Sequence, residues 1–400
     1  MPHRTSWPLV FSLFLAGVAV AFQIGKMPPA LGALQADLNL GLVSAGWAVS
    51  IFSLIAAALG VAFGAIAARF GPALTVVLGM VLAAAAGAAG ASIDTMPLLL
   101  LSRAVEGFGF ILTVVSVPPL IMAVTAAPDR PVALGLWGAY MPVGTSTMLF
   151  LAGPLVGLYG WRVTWLVTAG MIMVSAIAVY LASQKVLERS QAIRVRAPLS
   201  AVLVLARRPV PLLSAFIFGC YALQYLALFS FLPLVLIRVN GMAIGSAAAL
   251  TACAALSNAA GNMAAGFLLR AGVRAGILIA VASLAMGAGA LIVFNEAAPA
   301  VLRIAGATMF SAVGGVIPGT MFALGPLIVP KPELLPGING LMLQGAAIGQ
   351  LAGPPLVAWL VAASASWEGA YAAMLIAALA VAGAAALLQR AVPVRQDASI

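Results

Sequence analysis

Displaced by about two hundred residues, this chain falls back on itself, and repeats at that period mark structural duplication. Pro8 and Gln23 match Pro209 and Gln224 at a separation of 201, as do Gly60, Arg69 and Gly71 with Gly261, Arg270 and Gly272. At a separation of 200, Arg103, Phe110 and Pro118 match Arg303, Phe310 and Pro318, and Gly153-Pro154 matches Gly353-Pro354. Because rare arginines, glutamines and prolines are among the matches, composition bias does not explain them. Two like halves around a shared polar centre is a common transporter plan.

Apolar runs long enough to cross the roughly 30 Å hydrocarbon layer recur along the chain. With 64% of residues hydrophobic and 7% charged, a water-soluble globule is excluded. The runs centre near Leu15, Ile55, Leu82, Leu112, Thr145 and Met173, then near Leu223, Leu256, Ser283, Val313, Ala347 and Leu379. The expectation is an all-α membrane protein with twelve transmembrane helices, because lipid leaves an open sheet edge without partners. Two six-helix bundles related by pseudo-two-fold symmetry would occupy residues 1–183 and 209–400, with a cytoplasmic linker at 184–208. The stretch from Trp7 to Ala21 has some features of a signal peptide, but its match to the seventh run argues that it is retained.

Lys and Arg accumulate on the cytoplasmic side of membrane proteins. With both termini placed there, that side holds Arg4, Arg69, Arg130, Lys185, Arg189, Arg194, Arg196, Arg207, Arg208, Arg270, Arg274, Lys331, Arg390 and Arg395, fourteen of the 19 basic residues. The net charge of +10 is thus a topology signal, and no nucleic-acid partner is needed to explain it. This places the chain in the cell inner membrane as a multi-pass protein. Cys220 and Cys253 both fall in spans, which speaks for packing over a disulfide.

The third, sixth, ninth and twelfth runs are almost wholly apolar and read as peripheral. Others carry groups whose burial in hydrocarbon is costly without partners. Gln23, Lys26, Arg103, Trp137, Tyr140, Tyr221, Gln224, Tyr225, Asn258, Arg303 and Gln344 are the expected lining of a central substrate site. Three- and four-residue spacings put Gln23 with Lys26, Arg103 with Glu106, Trp137 with Tyr140, Tyr221 with Gln224, and Asn258 with Asn262 on shared helix faces. Gln23 and Gln224, equivalent in the repeat, are expected to approach each other. Pro118, Pro318, Gly153, Pro154, Gly353 and Pro354 recur at matching places and read as kinks suited to a rocking motion.

Twelve runs, a six-plus-six parallel repeat and a basic linker resemble the major facilitator superfamily. Gly64-Ala-Ile-Ala-Ala-Arg69-Phe-Gly71 is similar to its signature loop, with Ala68 where the family has Asp, and Arg103-Ala-Val-Glu106-Gly107 resembles its fourth-helix motif. Gly153-Pro154-Leu-Val-Gly157 is a fragment of the antiporter motif; Gln23-Ile-Gly-Lys26-Met-Pro-Pro resembles the cyanate-permease branch. The resemblance implies alternating access, with an arginine tied to proton coupling or substrate.

Glu106 is the acid placed inside a span, and is the expected proton site. Arg303, with no acid nearby in sequence, is the expected anion ligand, although its position near a helix end also allows snorkelling, the reading preferred for Lys26. Three cations against one acid favour a small organic or inorganic anion as cargo, since guanidinium matches planar anions. The rival is a proton-coupled exporter of amphipathic compounds. A monomer, with protons and lipid as partners and no cofactor or metal, completes the expectation. An enzyme is disfavoured: His3 lies in the tail, no second acid joins Glu106, and neither cysteine has a nearby base. No phosphate-binding loop supports ATP drive.

Overall fold

The structure, a computed structural model, describes residues 4–60, 72–190, 204, 207–328 and 335–391. The signature-like loop at 64–71 and most of the expected linker lie outside these residues. Among the described residues all regular structure is helical. The first four spans are Trp7–Asp37, Leu42–Gly60, Ala73–Gly90 and Met96–Val124. A 51-residue helix, Tyr140–Ser190, follows, but Gly160 within it adopts φ 81° and ψ 170°. That backbone region is essentially closed to residues with a Cβ. The chain therefore turns there, and the stretch contains the fifth and sixth spans. The seventh to twelfth are Pro209–Arg238, Ile244–Arg270, Ala275–Phe294, Ala300–Gly325, Ile338–Ser364 and Trp367–Ala391. The expected twelve are present.

Large apolar side chains such as Leu74, Val174, Leu181, Ile376 and Leu379 are exposed on the outside of the bundle, as a lipid-facing surface requires. Without a hydrophobic force between helices in lipid, small residues set close packing. Gly345, Gly349 and Gly353 of the eleventh span face the backbone of Ala215, Gly219 and Leu223 on the seventh, so a stripe at four-residue spacing brings the two helices together.

Several spans are interrupted. The first pauses at Lys26 ahead of Pro28 and Pro29, which have no N–H to continue the ladder. The second contains a 3-10 turn at Ile51–Ser53, the eighth breaks at Ser257 and the tenth at Gly315. Pro118 and Pro154 lie inside continuous helices, and so do Pro354 and Pro355. Pro318 differs from its repeat partner. It sits in the first turn of the segment Val316–Ile328, where a missing N–H leaves no intrahelical bond unmade.

An even number of spans returns the chain to the side where it began. The two halves are pinned together toward the opposite, far end. There Gly46 of the second span meets Pro354 and Pro355 of the eleventh, and Gly153 of the fifth meets Gly245 and Ala248 of the eighth. Arg238 at the end of the seventh donates to Gln35 of the first at 2.9 Å. Contacts between the halves continue toward the other end: Ser53 donates to Gln350 at 2.9 Å, Gln344 donates to the Ala57 carbonyl at 2.9 Å, and Gly60, the last described residue of the second span, lies against Gln344.

Candidate functional site

Arg103 is the eighth residue of the fourth span, two turns in from the far end, and it points into the first half together with Glu106 one turn on. The two form an ion pair, and the other Glu106 oxygen accepts from Lys26 Nζ at 2.7 Å. All three side chains are at most 1% exposed. Two cations thus share one carboxylate inside a dry bundle, leaving a formal charge of one positive. The Arg103 guanidinium also donates to the carbonyls of Gln23, at 3.0 Å, and Ala48, at 3.3 Å. It lies 4.9 Å from the Phe52 ring, while Lys26 lies 4.3 Å from the centre of the Trp165 ring. Such cation–π contacts replace part of the hydration a buried cation has lost.

Gln23, one turn before Lys26, donates to the Ala83 carbonyl of the third span at 2.9 Å, and its buried Oε1 has no protein partner. Gly87 on that span is what lets these groups meet. A Cβ there would lie 3.2 Å from both Gln23 Nε2 and Glu106 Oε1. The third and sixth spans, expected at the periphery, therefore supply the Ala83 carbonyl, Gly87 and Trp165 to the cluster, while their outer faces remain apolar. The cluster belongs to the first half alone, with partners from spans one, two, three, four and six.

The other expected residues divide into separate groups. Trp137 and Tyr140 stack at 4.2 Å between ring centres, both buried, with Trp137 against Gly17 of the first span. In the second half, Asn258 Nδ2 donates to the Tyr221 hydroxyl at 3.0 Å and to the Ser311 carbonyl at 3.0 Å. The Tyr225 hydroxyl donates to the Ala255 carbonyl at 3.3 Å, and Asn262 donates to Asn258 Oδ1 at 2.9 Å. This neutral network ties spans seven, eight and ten. Gln224 donates to the Cys220 carbonyl on its own helix, 3.3 Å away, and its buried Oε1 has no partner among the described residues. The two repeat-related glutamines are each engaged within their own half and are not brought together. Gln344 reaches across the halves to the second span, as described.

Arg303 departs most from expectation. Its guanidinium donates to the carbonyls of Val293 at 2.6 Å, Ala298 at 3.0 Å and Glu296 at 3.0 Å, binding the end of the ninth span to the loop after it. The cause is register. Arg303 is the fourth residue of its span and Arg103 the eighth of its own, so the sequence match does not make them equivalent in depth. Arg303→Ala would leave three carbonyls without these donors, and hydrogen bonds to charged groups contribute about 1.5–3 kcal/mol each at most. The expected result is thermal destabilisation of roughly 2–4 kcal/mol, read as a lowered melting temperature in detergent, with ligand affinity unchanged in the protein that folds.

At the far end of the first half, Arg162 pairs with Asp37 and Asp94, and Trp161 Nε1 donates to Asp37 at 2.9 Å. These contacts tie the ends of the first and sixth spans to the loop after the third. Phe52, Gly87 and Trp165 were not singled out by sequence. An aromatic or a glycine in an apolar span carries no signal of its own, and only the cation it touches reveals it.

The family model for the Major Facilitator Superfamily matches residues 13–341. The solved structure of a bacterial homologue of the human lysosomal transporter Spinster, inward-facing and occupied, superposes with a TM-score of 0.81 at 16% identity over all of both chains. A D-xylose-proton symporter superposes with a TM-score of 0.74 at 15% identity, covering 97% of this chain and 98% of that one. Among curated proteins, the Methylenomycin A resistance protein of Bacillus subtilis is 26% identical over 44% of this chain and 38% of its own length. An uncharacterised MFS-type transporter of Mycobacterium tuberculosis is 25% identical over 40% of this chain and 28% of its own. The matched stretches are thus well under half the length of these two relatives. With a twelve-span duplicated fold and a family match over most of its length, the chain belongs to the major facilitator superfamily and is a membrane transporter, not an enzyme.

Proposed function

We propose that the chain is a proton-coupled secondary transporter of a small anion that works by alternating access, its two six-helix halves, 1–183 and 209–400, rocking about the interface between them. The observation that carries this reading is the enclosed Lys26–Glu106–Arg103 cluster. An unbalanced ion cluster in a dry bundle is expensive to keep, and intramembrane ionisable groups mark ion and proton pathways. Its excess positive charge favours an anionic cargo. With the termini cytoplasmic, as the basic residues suggest, the far-end contacts lie on the outer side of a cell inner-membrane protein. The fold also serves a named proton symporter, which is compatible with proton coupling.

A second reading, proton-coupled export of amphipathic compounds, draws on the resistance protein among the relatives. Thermal-shift screening of the purified protein separates the two. A ligand present at a hundred times its Kd stabilises by about 2.7 kcal/mol. Stabilisation by a carboxylate, cyanate or nitrate is the expected result; stabilisation by antibiotics alone would transfer the argument to export.

A further inference from the structure

We infer that Lys26, rather than Glu106, is the group that releases and regains the proton in the buried cluster. The cluster would then alternate between a singly positive triad and a neutral Arg103–Glu106 pair beside an uncharged amine. This deepens the proton-coupling reading, on which its use in transport rests.

Arg103 does not lose its proton under biological conditions. Protonating Glu106 while Lys26 stays charged would leave two cations and no anion in a site at most 1% exposed. Deprotonating Lys26 instead brings the site to zero. An uncompensated buried charge is the state a protein pays most to maintain, so the two routes are far apart in free energy.

The two cations also differ in how firmly they are held. Arg103 keeps two main-chain acceptors, Gln23 and Ala48, and the Phe52 face whatever happens to the carboxylate. Lys26 Nζ has Glu106 as its hydrogen-bond partner and the indole of Trp165 as its other neighbour. Of the two cations it is the less anchored. Among the described residues packed around the cluster there is no second carboxylate, and the fifth span beside Gly25 presents Thr145 and Met148. The fourth span presents Arg103 and Glu106, the sixth Trp165, the third Gly87 and Ala83, the second Phe52 and Ala48, and the first the neutral Gln23. The acids Asp37 and Asp94 are engaged by Arg162 at the far end. Once Lys26 has given its proton to water admitted in another state of the cycle, one Glu106 oxygen loses a charged partner, and the first span is held less tightly to the fourth.

Trp165 makes this measurable without any transported solute, because an ammonium 4.3 Å from the ring perturbs indole emission and a neutral amine does so much less. The emission of the purified full chain, corrected by subtracting that of Trp165→Phe, would be followed from about pH 5 to about pH 10. Wild type is expected to show one single-proton transition. Lys26→Arg, which keeps the charge but not the titration, and Lys26→Met, which keeps neither, should both abolish it. Glu106→Gln should retain it but move it to lower pH by about one unit or more, because the stabilising anion is gone. A transition that survives Lys26→Arg and disappears in Glu106→Gln would assign the proton to Glu106 and overturn the inference. A flat wild-type curve would overturn it as well. Since the readout is protonation, failure here is distinguishable from failure of the transport reading, which shows in flux alone.

Discussion

Glu106→Leu is expected to cost about 3–5 kcal/mol of stability, whereas Lys26→Met, which removes the other end of the same contact, should be neutral or stabilising. The asymmetry follows from which charges remain. Without the carboxylate, the Arg103 charge is left uncompensated in a site sealed from water, and Lys26, which then sheds its proton more readily, retains only the indole face of Trp165. Without the ammonium, Arg103 and Glu106 remain as a neutral pair with the Gln23 and Ala48 carbonyls still accepting from the guanidinium. Methionine is unbranched and similar in length, and its thioether packs well against an aromatic ring such as Trp165. Thermal unfolding in detergent of both variants beside wild type checks this. Equal losses for the two would mean that the cluster behaves as a simple salt bridge, with no excess charge to relieve.

Locking the far end should abolish transport altogether. Gln35 and Arg238 belong to different halves and touch through a 2.9 Å hydrogen bond. If the halves rock, this contact breaks once in every cycle. A chain carrying Gln35→Cys and Arg238→Cys, with Cys220 and Cys253 replaced by alanine, should react efficiently with a short bifunctional thiol reagent. Flux of whichever solute the stabilisation screen selects should then cease and return when a reducible cross-link is opened. Full cross-linking with unchanged flux would show that the far end need not separate.

The fold was legible because its signals are coarse and repeated. Twenty-residue apolar runs leave few alternatives in lipid, and the repeat doubled each piece of evidence. The charged site was half legible. Gln23, Arg103 and Glu106 stood out because charged or carboxamide groups in an apolar span must find partners. Lys26 was read as snorkelling because the first apolar run was taken to end there. Instead the span resumes at Met27 and runs to Asp37, so Lys26 lies in mid-span. Arg303 was misplaced for a related reason. The loops before the two spans, 91–95 and 295–299, are equally long, but the preceding span ends at Gly90 in one half and Phe294 in the other, so a match at a separation of 200 is out of register by one turn and leaves Arg303 near its helix end, bonded to the loop before it. The Tyr221–Asn258 contact joins two spans, and no spacing within one helix encodes it. Gly160 lies in a long apolar stretch, yet its positive φ divides the fifth span from the sixth.

The central claim is that the cluster in the first half joins proton movement to solute movement. Its most direct test uses vesicles loaded with a pH-sensitive dye and reconstituted with wild type, Lys26→Met or Arg303→Ala, supplied with an impermeant solute from the stabilisation screen. Wild type and Arg303→Ala should move protons together with the solute, while Lys26→Met should move solute without protons. Proton flux that persists undiminished in Lys26→Met, or solute flux that never carries protons in wild type, would contradict the account.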